Sequence, residues 1–217
     1  MLPRIRVRQV DERSRCDRHR FPTAASSLYS ATMSLDGFIA GPGGDQSWMT
    51  QYPGPNPMVD ELIGDIGALL VGARTFGGDD PNRGTDKEGA FSGQWHGPQV
   101  VLIHNPPAAP PPGVSFAGDL TNAIRAAKAA AGAKKYVNVL GASVGRQCLE
   151  AGLLDEILVL IAPVMLGDGV RLFEHPGGST VALERISLSQ VPLATNLWFR
   201  VKSEPQRCGP PTASRDG

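Results

Sequence analysis

Apolar and polar positions alternate in short blocks along this chain, and the blocks change period. Leu28 to Met33 predicts a strand that runs into Ser34-Leu-Asp-Gly37 and a Gly-Pro-Gly-Gly loop at 41–44. Met58, Leu62 and Ile63 share a helical face and predict a helix ending near Gly67. Ala68 to Val71 predicts a second strand closed by Gly72, and Gln99 to Ile103 a third. Between these two, 77–97 is crowded with turn residues and predicts a long surface insertion of the kind that lies over a site. A proline-rich bridge at 106–112 leads to Val114-Ser-Phe116. Asp119 then caps a helix on which Leu120, Ala123, Ile124, Ala127 and Ala131 share a face, with Gly132 as its stop.

Tyr136 to Gly169 carries the most information. Tyr136-Val-Asn-Val-Leu140 predicts a strand, Gly141-Ala-Ser143 breaks it, and a helix pattern follows with Val144, Cys148 and Leu149 on one face up to Gly152. Ile157 to Ala162 is apolar throughout, as in a strand covered on both faces. A small-residue turn between a strand's carboxyl end and a helix's first turn offers free N–H groups and a positive dipole end to an anion such as a nucleotide phosphate. An ordinary βαβ core unit has the same spacing, so the pattern alone leaves both readings open. Val181 to Val191 and Asn196 to Lys202 predict a terminal antiparallel pair, with Leu197, Phe199 and Val201 alternating with Trp198, Arg200 and Lys202. The sum is one α/β domain with a central, mostly parallel sheet, an antiparallel carboxyl-terminal edge and helices on both faces.

Charge refines the boundaries. The 21 basic and 21 acidic residues cancel overall, yet residues 1–26 carry seven Arg against three acids. That stretch (Arg4, Arg6, Arg8, Arg13, Arg15, Arg18 and Arg20) lacks apolar periodicity and predicts a disordered tail, as does 203–217. The domain therefore spans 27–202; it is mildly acidic, and it predicts neither a nucleic-acid partner nor a membrane one. The three cysteines, at 16, 148 and 208, form no CxxC pair. A reduced, cytoplasmic protein without a metal centre is the expectation, and the amino terminus lacks the apolar core of a secretory signal.

Six local patterns fall in one order: Met33-Ser-Leu-Asp-Gly-Phe-Ile-Ala-Gly41, Leu70-Val-Gly-Ala-Arg-Thr-Phe76, Trp95-His-Gly-Pro98, Gly141-Ala-Ser143, Gly152-Leu-Leu-Asp-Glu156 and Ala162-Pro-Val-Met-Leu-Gly167. Together they resemble the dihydrofolate reductase-like superfamily over residues 28–202. The nearer resemblance is to the carboxyl-terminal reductase domain of the bifunctional riboflavin-biosynthesis deaminase–reductase and to its stand-alone relatives. The resemblance implies an oxidoreductase that uses NADPH on a small-molecule substrate and is often a homodimer. In the riboflavin pathway such a domain reduces the ribosyl group of 5-amino-6-(5-phosphoribosylamino)uracil. The deaminase's H-x-E…P-C-x-x-C zinc signature is absent from this sequence. A pterin or dihydrofolate-like substrate, or nucleotide binding without catalysis, are the alternatives.

The resemblance also assigns residues. Leu140, Gly141, Ala142, Ser143 and Val144 would meet the cofactor pyrophosphate; relatives carry a glycine pair here, and Leu140 stands before Gly141 where a glycine is expected. Gly72, Arg74 and Thr75 would grip the 2′-phosphate, with Ala73 where folate reductases have a basic residue. Ile103 would border the adenosine half, next to His104, which equally suits an ordinary surface histidine. Thr32, Ile39 and Ala40 would line the nicotinamide pocket. Asp36 is the candidate catalytic acid. It would orient or deliver a proton if its pKa is raised, while an Asp-Gly turn residue bonding local backbone fits the same position. Ser34, Trp48, Asp60 and Arg83 would contact substrate. Gly78-Asp-Asp-Pro81 matches the relatives' loop, but Asn82-Arg83-Gly84 follows in place of Leu-Thr-x-Arg.

Overall fold

The computed structural model describes residues 25–52, 54–78, 80–132 and 136–202. Strand β1 (Ser27–Ser34) turns through Asp36-Gly37 into β2 (Phe38–Ala40), and two short 3-10 turns lead to helix α1 (Pro57–Asp65). Strand β3 (Ile66–Gly72), helix α2 (Ala73–Phe76), β4 (Gln99–Leu102) and β5 (Val114–Ala117) follow. Then come α3 (Leu120–Ala131), β6 (Tyr136–Leu140), α4 (Ala142–Glu150), β7 (Glu156–Ala162), β8 (Val170–Arg171) and the hairpin β9 (Leu183–Val191) and β10 (Ala194–Val201). The main sheet has the order β5-β4-β3-β6-β1-β7-β10-β9; only β10 and β9 run antiparallel to their neighbours. A second sheet joins β2 to β8.

The core has two layers, one on each sheet face. Val137, Val139, Leu70 and Val100 face α3 and α4, where Ala123, Ile124, Ala127, Val144 and Cys148 are buried. On the other face Leu28, Leu69, Val71, Val101 and Leu158 meet Leu62 of α1 and Trp95 of the 77–97 segment. Burial of each such side chain stabilises by roughly 1.5–3 kcal/mol. The α3 boundaries follow the sequence closely: Asp119 accepts from the Asn122 N–H at 2.8 Å, and Gly132 ends the helix.

Two boundaries differ from expectation, and two tryptophans add packing the pattern did not show. Helix α1 stops at Asp65, and Gly67 lies inside β3, because α3 crosses there so closely that a Cβ on Gly67 would stand 2.4 Å from the Ala131 carbonyl oxygen. The 77–97 insertion is anchored at Trp95, which is buried and whose Nε1 donates to the Ile66 carbonyl at 3.2 Å. Ala25 and Ser26, expected in the amino-terminal tail, belong to the domain. Ala25 is buried, and the Ser26 carbonyl accepts from the Val137 N–H at 2.8 Å. The remaining tail residues, 1–24 and 203–217, lie outside the described residues. Finally, Trp198 packs into the α1-side cluster and donates to Glu156 at 2.8 Å.

Candidate active site

The parallel strands β3 and β6 are neighbours, yet their chains leave in opposite directions. After β3 the chain passes through α2 to the α1-side layer, where Phe76, Phe91 and Trp95 pack. After β6 it enters α4 on the other layer. The crevice at their carboxyl ends is a topological switch point, the place where open α/β sheets bind ligands. Register aligns the two ends, since Val71 pairs with Leu140 and Gly72 with Leu102 of β4.

Two turns meet in that crevice. Gly72 is the N-cap of α2 and Gly141 that of α4. Gly141 has φ +105, a conformation suited to glycine, and a Cβ there would stand 2.5 Å from Thr75 Oγ1 and 3.9 Å from the Gly72 nitrogen. The first bond of α4 is Gly145 N–H to the Gly141 carbonyl at 3.0 Å, so the N–H groups of Ala142, Ser143 and Val144 have no acceptor within the helix. These donors, the helix dipole and the exposed Arg74 and Thr75 suit a phosphorylated ligand.

Leu140 is the last residue of β6 and its side chain packs into the α1-side core. The position that needs glycine is 141, which is glycine. Val144 is buried in the opposite layer, and its Cγ2 would stand 3.1 Å from a Cβ on Gly72. Ile103 is half-buried in the α1-side layer, while His104 is exposed. Strand β1 continues past the end of β6, which brings Thr32 to the same mouth. Ile39 packs against the α3–α4 core, and Ala40 is buried beside Val170.

Asp36 joins two loops. Its carboxylate accepts from Ser34 Oγ at 2.6 Å, the Leu166 N–H at 3.1 Å and the Gly167 N–H at 2.7 Å. The Leu35 N–H donates to the Val164 carbonyl at 2.7 Å, doubling the link. The Ser34 hydroxyl above all, then the two backbone N–H groups, hold the Asp36 carboxyl down at about 2. The raised pKa that proton delivery requires is therefore not present. Ser34 is fully buried and both donates to Asp36 and accepts from the Phe38 N–H at 3.0 Å, so its hydroxyl is committed to this turn rather than to a substrate.

The other substrate candidates are dispersed. Asp60 is exposed on the first turn of α1. Trp48 is buried against Tyr52, and its Nε1 lacks a partner among the described residues. Arg83 donates to the Gly78 carbonyl at 3.0 Å, and Asp80 accepts from Asn82 and Gly89, so this loop is hydrogen-bonded to itself. Asp79, in the same motif, lies outside the described residues.

Sequence reasoning missed two features here. Arg171 lies over the Phe38 ring at 4.4 Å and donates to the Asp36 carbonyl at 3.4 Å. Asn56, N-cap of α1, exchanges two amide hydrogen bonds of 3.0 Å with Asn196 of β10. An Asn before Pro57 was a readable cap signal, but its remote partner was not.

Residues 27–194 match the family model of the RibD C-terminal domain. No curated protein matches the chain. Among solved structures, the chain is similar to a protein of Shewanella sp. PV-4 ascribed to riboflavin biosynthesis, with 22% identity over 82% of this chain and 99% of that one and a TM-score of 0.64. It is similar to the riboflavin biosynthesis reductase Rib7 of Saccharomyces cerevisiae, with 20% identity over 83% and 91% and a TM-score of 0.53. It is also similar to the dihydrofolate reductase of Enterococcus faecalis complexed with NADP(H), with 15% identity over 82% and 97% and a TM-score of 0.52. The fold is thus that of the dihydrofolate reductases. Among the described residues, no helix is long and apolar enough to cross a membrane.

Proposed function

This chain belongs to the RibD C-terminal domain family, and from that premise we propose that it is an NADPH-dependent reductase of the riboflavin-biosynthesis type. Its substrate would resemble 5-amino-6-(5-phosphoribosylamino)uracil, reduced at a sugar-derived carbonyl or imine carbon. The observation that carries the reading is the meeting of the Gly72 and Gly141 turns at the β3–β6 switch point. The N–H groups of Ala142, Ser143 and Val144, beside Gly141 and Leu140, suit the pyrophosphate. Arg74 and Thr75, after Gly72, suit the 2′-phosphate, and Ile103 borders the adenosine side. Thr32, Ile39 and Ala40 wall the nicotinamide side. Bound there, the cofactor supplies a hydride.

Asp36 enters this reading as an ionised carboxylate. It fixes the 34–37 and 163–167 loops against each other and orients the reacting group; it does not donate a proton at neutral pH. Ser34 acts through Asp36. The protein is a cytoplasmic homodimer. The experiment is NADPH oxidation with the deaminated and the undeaminated ribosylaminopyrimidine. Turnover of either supports the assignment, and none with bound NADPH removes the substrate claim.

One observation favours a second reading, a nucleotide-binding relative without turnover. The candidate catalytic acid, Asp36, is an ionised loop clamp rather than a proton donor. Tight NADPH binding with no turnover of pyrimidine, pterin or dihydrofolate would select it.

A further inference from the structure

In an Asp-Gly pair the aspartate carboxyl reaches the next backbone nitrogen with little hindrance, because glycine carries no Cβ beside that nitrogen. The chain holds three such pairs, Asp36-Gly37, Asp168-Gly169 and Asp216-Gly217. The last lies outside the described residues. The other two belong to neighbouring loops, joined where Leu166 and Gly167 donate to Asp36. Their carboxyl groups are held in opposite ways.

The Asp36 carboxylate is turned onto Ser34, Leu166 and Gly167, and these donors keep it ionised. The Gly37 N–H is engaged elsewhere, donating to the Ser34 carbonyl at 3.1 Å. Asp168 is exposed, and its Oδ1 accepts from the N–H of Gly169 itself at 2.7 Å. Its side chain is therefore curled onto the nitrogen that follows it in the chain. That is the approach needed for ring closure.

We propose that Asp168 is a self-modification site, whose carboxyl closes on the Gly169 nitrogen to a five-membered imide that water reopens to isoaspartate. The reacting form is the carboxylic acid. The Gly169 nitrogen attacks Cγ, an N–Cγ bond forms, and the Cγ–OH bond breaks. The hydroxyl leaves with the amide proton as water. Water then adds back to the ring at one of its two carbonyls. Addition at Cγ restores aspartate. Addition at the main-chain carbonyl cleaves the original peptide bond and routes the backbone through the side chain. Water alone is lost and regained, and no atom changes oxidation state.

Isoaspartate lengthens the backbone by one methylene between residues 168 and 169, where space is short. Gly169 lies so close to β2 that a Cβ on it would stand 2.0 Å from the Ala40 carbonyl oxygen. Strand β8 begins at the next residue, with Val170 paired to Ala40. On the other side, Leu166 and Gly167 hold Asp36. The added length must displace the β2–β8 pair or the Asp36 clamp, so the modified chain is less stable.

Ageing the native full chain in heavy-oxygen water at physiological temperature, then digesting it with trypsin in ordinary water, tests this. Each ring opening writes a heavy oxygen into the product. The two pairs fall in different tryptic peptides, since Arg74 and Arg146 lie between them. Label and isoaspartate should accumulate in the Asp168 peptide about tenfold faster than in the Asp36 peptide. In the urea-unfolded chain the two rates should be similar. Equal rates in the folded protein, or faster reaction at Asp36, overturn the proposal. Asp168→Glu, which would need a larger and slower-forming ring, should abolish the label at this site and keep its melting temperature on ageing. Wild type should melt progressively earlier; an Asp168→Glu chain that declines as fast overturns the link to the clamp.

Discussion

Thr75 Oγ1 occupies the space that a side chain on Gly141 would need: an ideal Cβ at 141 would stand 2.5 Å from it. The two cofactor turns are therefore packed against each other, not merely adjacent. Gly141→Ala must both shift Thr75 and hold alanine at φ +105, which costs about 1–2 kcal/mol from the backbone alone. The variant should lose NADPH affinity at least tenfold and melt earlier. Thr75→Gly in that background should recover part of both losses, measured as a coupling energy in a double-mutant cycle. Independent, additive effects would disprove the packing.

Asp36→Asn tests the loop clamp. The folded pKa of Asp36 lies below its ordinary 3.8, at about 2. A depressed carboxyl stabilises the fold above its unfolded pKa and loses that contribution as pH falls through the folded one. The stability gap between wild type and Asp36→Asn should be constant above about pH 4 and close between pH 4 and 2. Denaturant midpoints at several pH values check it. Since Asp36 stays ionised, its titration should leave no limb in the rate profile near neutral pH.

Asn56 and Asn196 form a closed amide pair, and Asn196 also donates to Ser189 Oγ at 2.9 Å. Asn196→Leu leaves the buried Asn56 amide unpaired, for an expected loss of about 1–3 kcal/mol in urea unfolding. Asn56→Leu added to it should cost less than the two single changes summed.

Gly67→Ala forces a Cβ to within 2.4 Å of the Ala131 carbonyl oxygen. Neither atom ends a flexible side chain, so α3 must move. Overpacking of this kind costs about 1–3 kcal/mol, and the denaturation midpoint should fall accordingly with an unchanged slope.

Much of this architecture is written locally. The apolar run 157–162 is the two-face-buried β7, and Asp119 and Gly132 bracket α3. What escaped the sequence depends on distant partners. The acceptors that define Asp36 lie at Leu166 and Gly167, some 130 residues away, so nothing near Asp36 reveals that its carboxylate is a clamp held ionised. Strands β2 and β8 have three and two residues, too few to set a period. Trp198 alternates with Leu197 and Phe199, and its side packs with α1, while among the described residues no helix makes its main contacts on the Leu197 and Phe199 side. Alternation identifies two faces but not which one the rest of the chain will cover.

A calorimetric titration of wild type against Arg74→Ala measures directly whether the β3–β6 crevice holds NADPH. A charge-assisted contact is worth about 1.5–3 kcal/mol, so Arg74→Ala should weaken NADPH binding about 10- to 100-fold and leave NADH binding unchanged. Absence of binding at millimolar NADPH, or equal affinity in the two proteins, would contradict it.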